Sequence, residues 1–212
     1  MYNSFARIPS KVRDGNLMNK TYIIIITVVL LLASGYLFTI YTQSNTSGTY
    51  NNEPYVATLN DIPILLTHYK VYLRTTALHF ENIAGENIWQ TSWDGVSTTE
   101  IAKNQALESI IFVMLTNSMA PHIYLYEQDR ELARTQAYEM FTTFTAEEQI
   151  NFNIETIISV REDIINHEKV QEYLTQNYHQ NVREMVFNEI FNNWRRDATI
   201  EINAEVWDSI SL

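Results

Sequence analysis

The histidines, the side chains best suited to metal binding in this chain, follow no metal-binding pattern. They are His68, His79, His122, His167 and His179, and none forms an H-x-x-x-H or H-E-x-x-H pair. His68 and His79 share one predicted helix but are 11 positions apart. That spacing is about 16 Å along a helix axis, too far for both to bind one ion. We therefore expect surface or partly buried histidines and no metal.

The acidic side chains also lack a catalytic arrangement. Carboxylates are adjacent at Glu147-Glu148 and at Glu162-Asp163, but acid-base catalysis needs two carboxyl groups in one cleft with different pKa values. These pairs lie on helix faces predicted to be solvated. The chain has no G-x-S-x-G motif, no P-loop, no glycine-rich phosphate loop and no cysteine. We therefore expect no catalytic residue and no cofactor.

The charge of the chain is unevenly distributed. Residues 1–21 carry four basic residues and one acidic residue, a net charge of +3. The whole chain has a net charge of −11, so residues 22–212 carry −14 by subtraction. This negative charge argues against a nucleic-acid partner, because phosphate binding requires a basic face.

An uncharged segment separates these two parts. Tyr22–Tyr41 is 20 residues long and would reach about 30 Å as a helix, which matches a bilayer core. The positive-inside rule places residues 1–21 in the cytoplasm and residues 55–212 outside, after a flexible polar spacer over residues 42–54. The alternative is a cleaved signal peptide, with Ala33–Gly35 as the small-residue site. Both alternatives export the domain, and the lipid bilayer is a predicted partner.

The exported part predicts a mostly helical domain. Hydrophobic spacing and capping patterns indicate where each helix begins and ends. The predicted helices cover residues 68–82 after a Thr67 cap, about 22 residues from the "STTE" box at Ser97–Glu100 to a stop before Pro121, Tyr126–Phe144, a short helix from "TAEE" at Thr145–Glu148, a helix from Ile154 that continues or restarts through Leu174, and His179–Arg196.

Two short strands flank these helices. Val56–Leu59 precedes an Asn60-Asp61 turn signal, and Thr199–Asn203 alternates with a period of two. Pro63 disfavours a long strand after the turn. Because a lone strand leaves its backbone groups without partners, we expect Tyr55–Leu59 to pair with Thr199–Asn203 and close the domain.

Three segments together resemble parts of one known protein family. "VATLNDIPI" resembles the family's V-A-x-V-N-G-x-x-I opening, with Asp61 at the usual turn glycine. The segment "WDGVSTTEIAKNQALESIIFVMLTNSMA" resembles the second helix, and "FNEIFNNWRRDATIEINAEVWDSI" resembles the closing helix and strand. The family that these segments resemble is the SurA/PrsA-like foldase family of exported bacterial chaperones, and the resemblance implies a SurA N-terminal-like chaperone domain. Many members also carry a parvulin prolyl isomerase domain of roughly a hundred residues, for which the few residues between Tyr173 and Val182 leave no room.

The remaining candidates for function are aromatic and methionine side chains, which suit promiscuous apolar binding. Those expected to include a polypeptide-binding groove are Tyr69, Tyr72, Phe80, Trp89, Trp93, Met114, Met119, Tyr124, Tyr126, Met140 and Phe144. The sequence predicts a membrane-anchored extracytoplasmic chaperone-like protein that binds unfolded or exported polypeptides without catalysis. The alternative is a non-catalytic adaptor or structural subunit that docks one dedicated partner in a membrane complex.

Overall fold

A computed structural model describes residues 49–50 and 53–212. The predicted cytoplasmic tail, the predicted anchor Tyr22–Tyr41 and most of the spacer lie outside these described residues. None of the helices in the described part combines the length and apolar character that crossing a membrane requires.

The described part is mostly helical, with a small antiparallel sheet. The α-helices are α1 Leu66–Ala84, α2 Thr98–Met119, α3 Glu127–Thr142, α4 Ala146–Asn151, α5 Ile154–Thr175, α6 Arg183–Asp197 and α7 Ala204–Ser209, with 3-10 turns at Glu86–Gln90 and Gln180–Val182. The strands are β1 Thr49–Tyr50, β2 Glu53–Leu59, β3 Ile62–Leu65, β4 Ser92–Trp93, β5 Val96–Ser97 and β6 Ile200–Ile202.

The predicted pairing of the two ends of the domain is confirmed. Strand β2 runs antiparallel to β6, with Ala57 opposite Ile202 and Leu59 opposite Ile200. Asn203 extends the pairing, since its backbone N–H donates to the Val56 carbonyl at 2.9 Å and its side chain donates to the Tyr55 carbonyl at 3.0 Å.

The expectation of a two-stranded sheet is too simple. Strand β2 also pairs with β3 on its other edge, and Pro63 lies opposite Thr58. Proline is tolerated here because β3 is an edge strand, where a missing N–H costs no ladder bond. Strand β1 pairs with Glu53 and Pro54 at the start of β2. Strand β2 is therefore the centre of a small sheet.

The hairpin between β2 and β3 has a two-residue loop of type I′. Both loop residues have positive φ, 49° at Asn60 and 67° at Asp61, as this turn requires. The Asn60 side chain accepts from the Thr199 N–H at 2.9 Å, and the Asn60 N–H donates to the Thr199 carbonyl at 2.8 Å. One residue thus shapes the turn and aligns β6.

The helix boundaries follow the capping signals at most positions. Ser97 caps α2 by accepting from the Glu100 N–H at 3.1 Å, and Thr145 forms a complete capping box with Glu148 at the start of α4. The prediction that Thr67 caps the first helix is wrong. Helix α1 begins at Leu66, and the Thr67 hydroxyl instead donates to the Glu53 carboxylate.

The core lies around α2. This helix packs against α1, α5 and α6. Its core-facing residues are Ala102, Ala106, Leu107, Ile110, Ile111, Val113 and Leu115. The sheet covers one side through Val56, Ala57 and Leu59, which are buried.

Helix α7 at the C-terminus is fixed by a buried basic residue. Lys103 on α2 is only 5% exposed, and its ammonium donates to the Trp207 carbonyl at 2.9 Å. The ammonium also lies 4.7 Å from the centre of the Trp207 ring, and the Trp207 Nε1–H donates to Glu100 at 3.2 Å. Helix α7 therefore completes the core through Trp207.

Candidate functional site

Several of the candidate aromatic and methionine residues lie in the core. Tyr69, Tyr72, Met140 and Phe144 are buried, and Met114 is half-buried against the same cluster. The four buried side chains are not accessible to a bound polypeptide in this structure. They stabilise the fold that positions the candidates outside the core.

Burial determines the chemistry of the two core tyrosines. It raises the pKa of both phenols, with nearby carboxylates, Glu100 for Tyr69 and Asp163 for Tyr72, adding to the shift. The phenols therefore stay protonated near neutral pH. The Tyr69 hydroxyl donates to the Lys103 carbonyl at 2.9 Å, and its ring lies 5.8 Å from the Trp207 ring. Tyr69 thus supports the contact between α2 and α7.

A second group of candidates lies where α1 packs against the 3-10 turn Glu86–Gln90, just before the β4–β5 hairpin. Phe80 and Trp89 stack with ring centres 5.9 Å apart and an interplanar angle of 28°. The Trp89 Nε1–H donates to Glu81 at 3.1 Å. Trp93, in β4, is 63% exposed. We name Phe80, Trp89 and Trp93 the tryptophan surface.

Local backbone signals position the tryptophan surface. Helix α1 ends at Gly85, whose φ of 77° is readily adopted by glycine. Asp94 and Gly95 then turn β4 back onto β5 with positive φ at both positions. This turn leads directly into α2 at Thr98.

A third group lies in the connection between α2 and α3. Tyr124 is 70% exposed and Tyr126 is 68% exposed, whereas the intervening Leu125 is half-buried. The Lys169 ammonium, on α5, lies 4.4 Å from the centre of the Tyr126 ring. One helical turn further along α5, Tyr173 contacts His122 edge to face at 5.1 Å. We name His122, Tyr124, Tyr126, Lys169 and Tyr173 the tyrosine surface.

Capping and packing position the tyrosine surface. Tyr126 is the N-cap of α3, and its backbone N–H donates to the Asp129 carboxylate at 2.7 Å. The same carboxylate binds Lys169 at 2.5 Å. The hydrogen bond from Lys169, followed by the Tyr126 N–H, lowers the pKa of Asp129. Asp129 thus joins the start of α3 to α5 as a charged group.

The candidates do not form one groove. The tryptophan surface precedes α2 and the tyrosine surface follows it, with Met119 at the end of that helix. Because α2 has 22 residues, its ends are about 33 Å apart at about 1.5 Å per residue. The structure therefore presents two separate aromatic surfaces.

The helices around the tyrosine surface are acidic. Helices α3 and α5 together contain nine acidic and four basic residues. Lys169 pairs with Asp129, Arg130 with Glu162, and Arg134 with Glu127 and Glu131. Among the described residues, the exposed Glu168 and Glu172 have no cationic partner. They lie one turn apart on α5, beside Lys169 and Tyr173.

Part of the tyrosine surface is not predicted from the sequence. His122, Lys169 and Tyr173 were not among the predicted binding residues, although the i, i+4 spacing of the last two placed them on one helical face.

His167 is buried between Phe112, at 4.7 Å, and Phe187, at 5.8 Å. Within residues 53–212, no three acidic or histidine side chains form a group that could hold a metal ion.

Comparison with known proteins gave no match to a family model, to a curated protein or to a solved structure. The resemblance to the SurA/PrsA-like foldases therefore rests on the three sequence segments quoted above and stays a prediction.

Proposed function

We propose that this chain is a membrane-anchored, extracytoplasmic chaperone-like protein that binds unfolded or exported polypeptides without catalysis. The observation that carries the proposal is the presence of exposed aromatic side chains at both ends of α2, Trp93 before the helix and Tyr124 and Tyr126 after it. A SurA N-terminal-like module of the foldase family, without its isomerase domain, would have this role.

The separation of the two surfaces fits an extended ligand. A polypeptide in extended conformation rises about 3.3 Å per residue, so a segment of about ten residues spans the 33 Å between the ends of α2. An unfolded chain can span this distance because it is not held in a compact fold. Exposed aromatic rings also bind varied apolar side chains at low entropic cost, since they have few rotatable bonds.

The remaining features support an exported holder of polypeptides. The predicted segment Tyr22–Tyr41 would anchor the domain to the bilayer, and the spacer over residues 42–54 would hold it away from the surface. The net charge of −14 on residues 22–212 favours solubility when apolar clients are bound.

Suppression of aggregation tests the proposal. The full chain, kept soluble in a mild detergent, should slow the aggregation of a chemically denatured test protein on dilution. The double variant Trp93→Ser/Tyr124→Ser should lose most of this effect, because each change removes one exposed ring. The matched control Tyr138→Ser/Ile150→Ser changes exposed side chains outside both surfaces. No effect of the wild-type chain at several-fold molar excess would refute the proposal.

Crosslinking in cells separates a chaperone from an adaptor. A photoreactive residue at position 124 should capture many polypeptides if the chain is a chaperone. One dominant product would support the adaptor instead.

We also expect no prolyl isomerase activity on a proline-containing peptide. Measured turnover would contradict the proposal that the chain binds polypeptides without catalysis.

A further inference from the structure

We propose that the tyrosine surface binds basic, arginine-containing segments of the polypeptide. This inference rests on the proposed function, since it assumes that the domain binds extended polypeptide. It assigns a preferred charge to one of the two surfaces.

The rings of the tyrosine surface are arranged to accept cations. Lys169 already lies 4.4 Å over the Tyr126 ring, which is a cation–π contact within the protein. Tyr126 nevertheless stays 68% exposed, and Tyr124 is 70% exposed. Much of both side chains is therefore open to a cation from another chain.

The nearby carboxylates supply the complementary charge. The local cations Lys169, Arg130 and Arg134 are each paired with a carboxylate. Glu168 and Glu172, which have no cationic partner among the described residues, form a stripe beside Lys169 and Tyr173 on α5. An incoming cation would meet two carboxylates without a cationic partner on the same stretch of α5 as the exposed Tyr173. An acidic segment would be repelled.

Arginine fits this combination better than lysine. A planar guanidinium stacks on an aromatic face and can also donate two parallel hydrogen bonds to a carboxylate. A lysine ammonium offers only a point charge. The expected ligand is thus an extended segment in which arginine alternates with small or apolar residues.

Binding of labelled synthetic peptides to the full chain tests this inference. The probes are fluorescent peptides of about ten residues with the same apolar positions and either arginine, lysine, glutamine or glutamate between them. Fluorescence anisotropy should give the order of affinity arginine, lysine, glutamine, glutamate. The preference for arginine over glutamine should shrink as salt is raised, because exposed charges are screened.

Two variants show which side chains are responsible for the preference for the arginine peptide. Glu168→Gln/Glu172→Gln should weaken the arginine peptide about fivefold, the loss expected for two exposed ion pairs, and leave the glutamine peptide unchanged. The control Glu139→Gln/Glu155→Gln makes the same charge change at the far ends of α3 and α5 and should have no such effect. Tyr124→Ser should weaken the arginine peptide by about threefold, as for loss of an exposed cation–π contact.

The outcomes distinguish this inference from the proposed function. Equal affinity for the four peptides, or equal effects of the two double glutamine variants, would overturn the inference while leaving polypeptide binding intact. If no peptide binds and aggregation is not slowed, both the inference and the proposed function fail. Circular dichroism of each variant checks that the fold is retained.

Discussion

Replacement of Trp207 by alanine should strongly destabilise the domain. Trp207 is 8% exposed, and its ring contacts Tyr69 and the Lys103 ammonium. The substitution leaves a cavity between α7 and α2, and removes the hydrogen bond from the Nε1–H to Glu100. Truncation of a buried tryptophan costs about 3–5 kcal/mol. We expect a loss of about 4 kcal/mol in the free energy of unfolding.

Urea unfolding followed by far-ultraviolet circular dichroism measures this loss, because the signal comes from helices and not from tryptophan. In thermal unfolding of a domain of this size, the same loss of about 4 kcal/mol corresponds to a decrease of about 8–16 °C in Tm. The matched control is Trp93→Ala, which removes the same ring from a site that is 63% exposed. Exposed substitutions usually change stability by less than about 0.5 kcal/mol.

The result that would refute this reasoning is a Trp207→Ala variant with the unfolding midpoint of the wild type. Equal losses for the two tryptophan variants would also refute it, since only Trp207 is buried and contacts Tyr69, Lys103 and Glu100. An unchanged m-value would show that both variants unfold the same surface as the wild type.

Three further predictions concern the hairpin, a buried histidine and a helix cap. Asp61→Gly should raise the free energy of unfolding by about 1 kcal/mol, because its φ of 67° is strained for a residue with a Cβ. Asn60→Gly in contrast should lower it, through loss of the hydrogen bond to Thr199. Both are measured by urea unfolding, and a lower midpoint for Asp61→Gly would contradict the turn assignment. Burial lowers the pKa of His167 below its ordinary value of 6.5. The folded state therefore disfavours protonation of His167. The contribution of the neutral His167 to the free energy of unfolding should be fully present above pH 6.5 and be lost as the pH falls below that value. The midpoint difference between His167→Phe and wild type should become more favourable to the variant from pH 7 to pH 5, and a constant difference would exclude this role. Thr145→Ala should cost about 1 kcal/mol by removing the cap of α4, whereas Thr142→Ala, outside that cap, is its control in the same urea assay.

The helices were predictable because their signals are local. Ser97 and Pro121 mark the limits of α2 within a few residues, since capping and the restriction before proline act on neighbouring backbone groups. The pairing of the two ends of the domain was also predictable. An isolated strand needs a partner, and Thr199–Asn203 was the one other segment recognised as a strand. Strand β3 was missed because Pro63 is unfavourable in most strands and acceptable only at an edge, which the sequence does not display.

The candidate surfaces were only partly predictable, because exposure depends on distant neighbours. Tyr69 and Tyr126 have the same side chain, but the first is buried against Trp207 and the second is mostly exposed. Lysine side chains are usually solvated, but Lys103 is buried because α7 packs over it. Tyr173 joins His122 only because α5 lies beside the connection from α2 to α3.

The sequence by itself determined the acidic charge of residues 22–212, the main helices and the closure of the domain by its two ends, since composition and short-range backbone preferences decide these features. The tertiary structure alone decided which aromatic residues are exposed and that they lie in two surfaces, one at each end of the 22-residue α2. Burial is a property of the packed helices together, because each ring is covered or left open by residues far away in the chain.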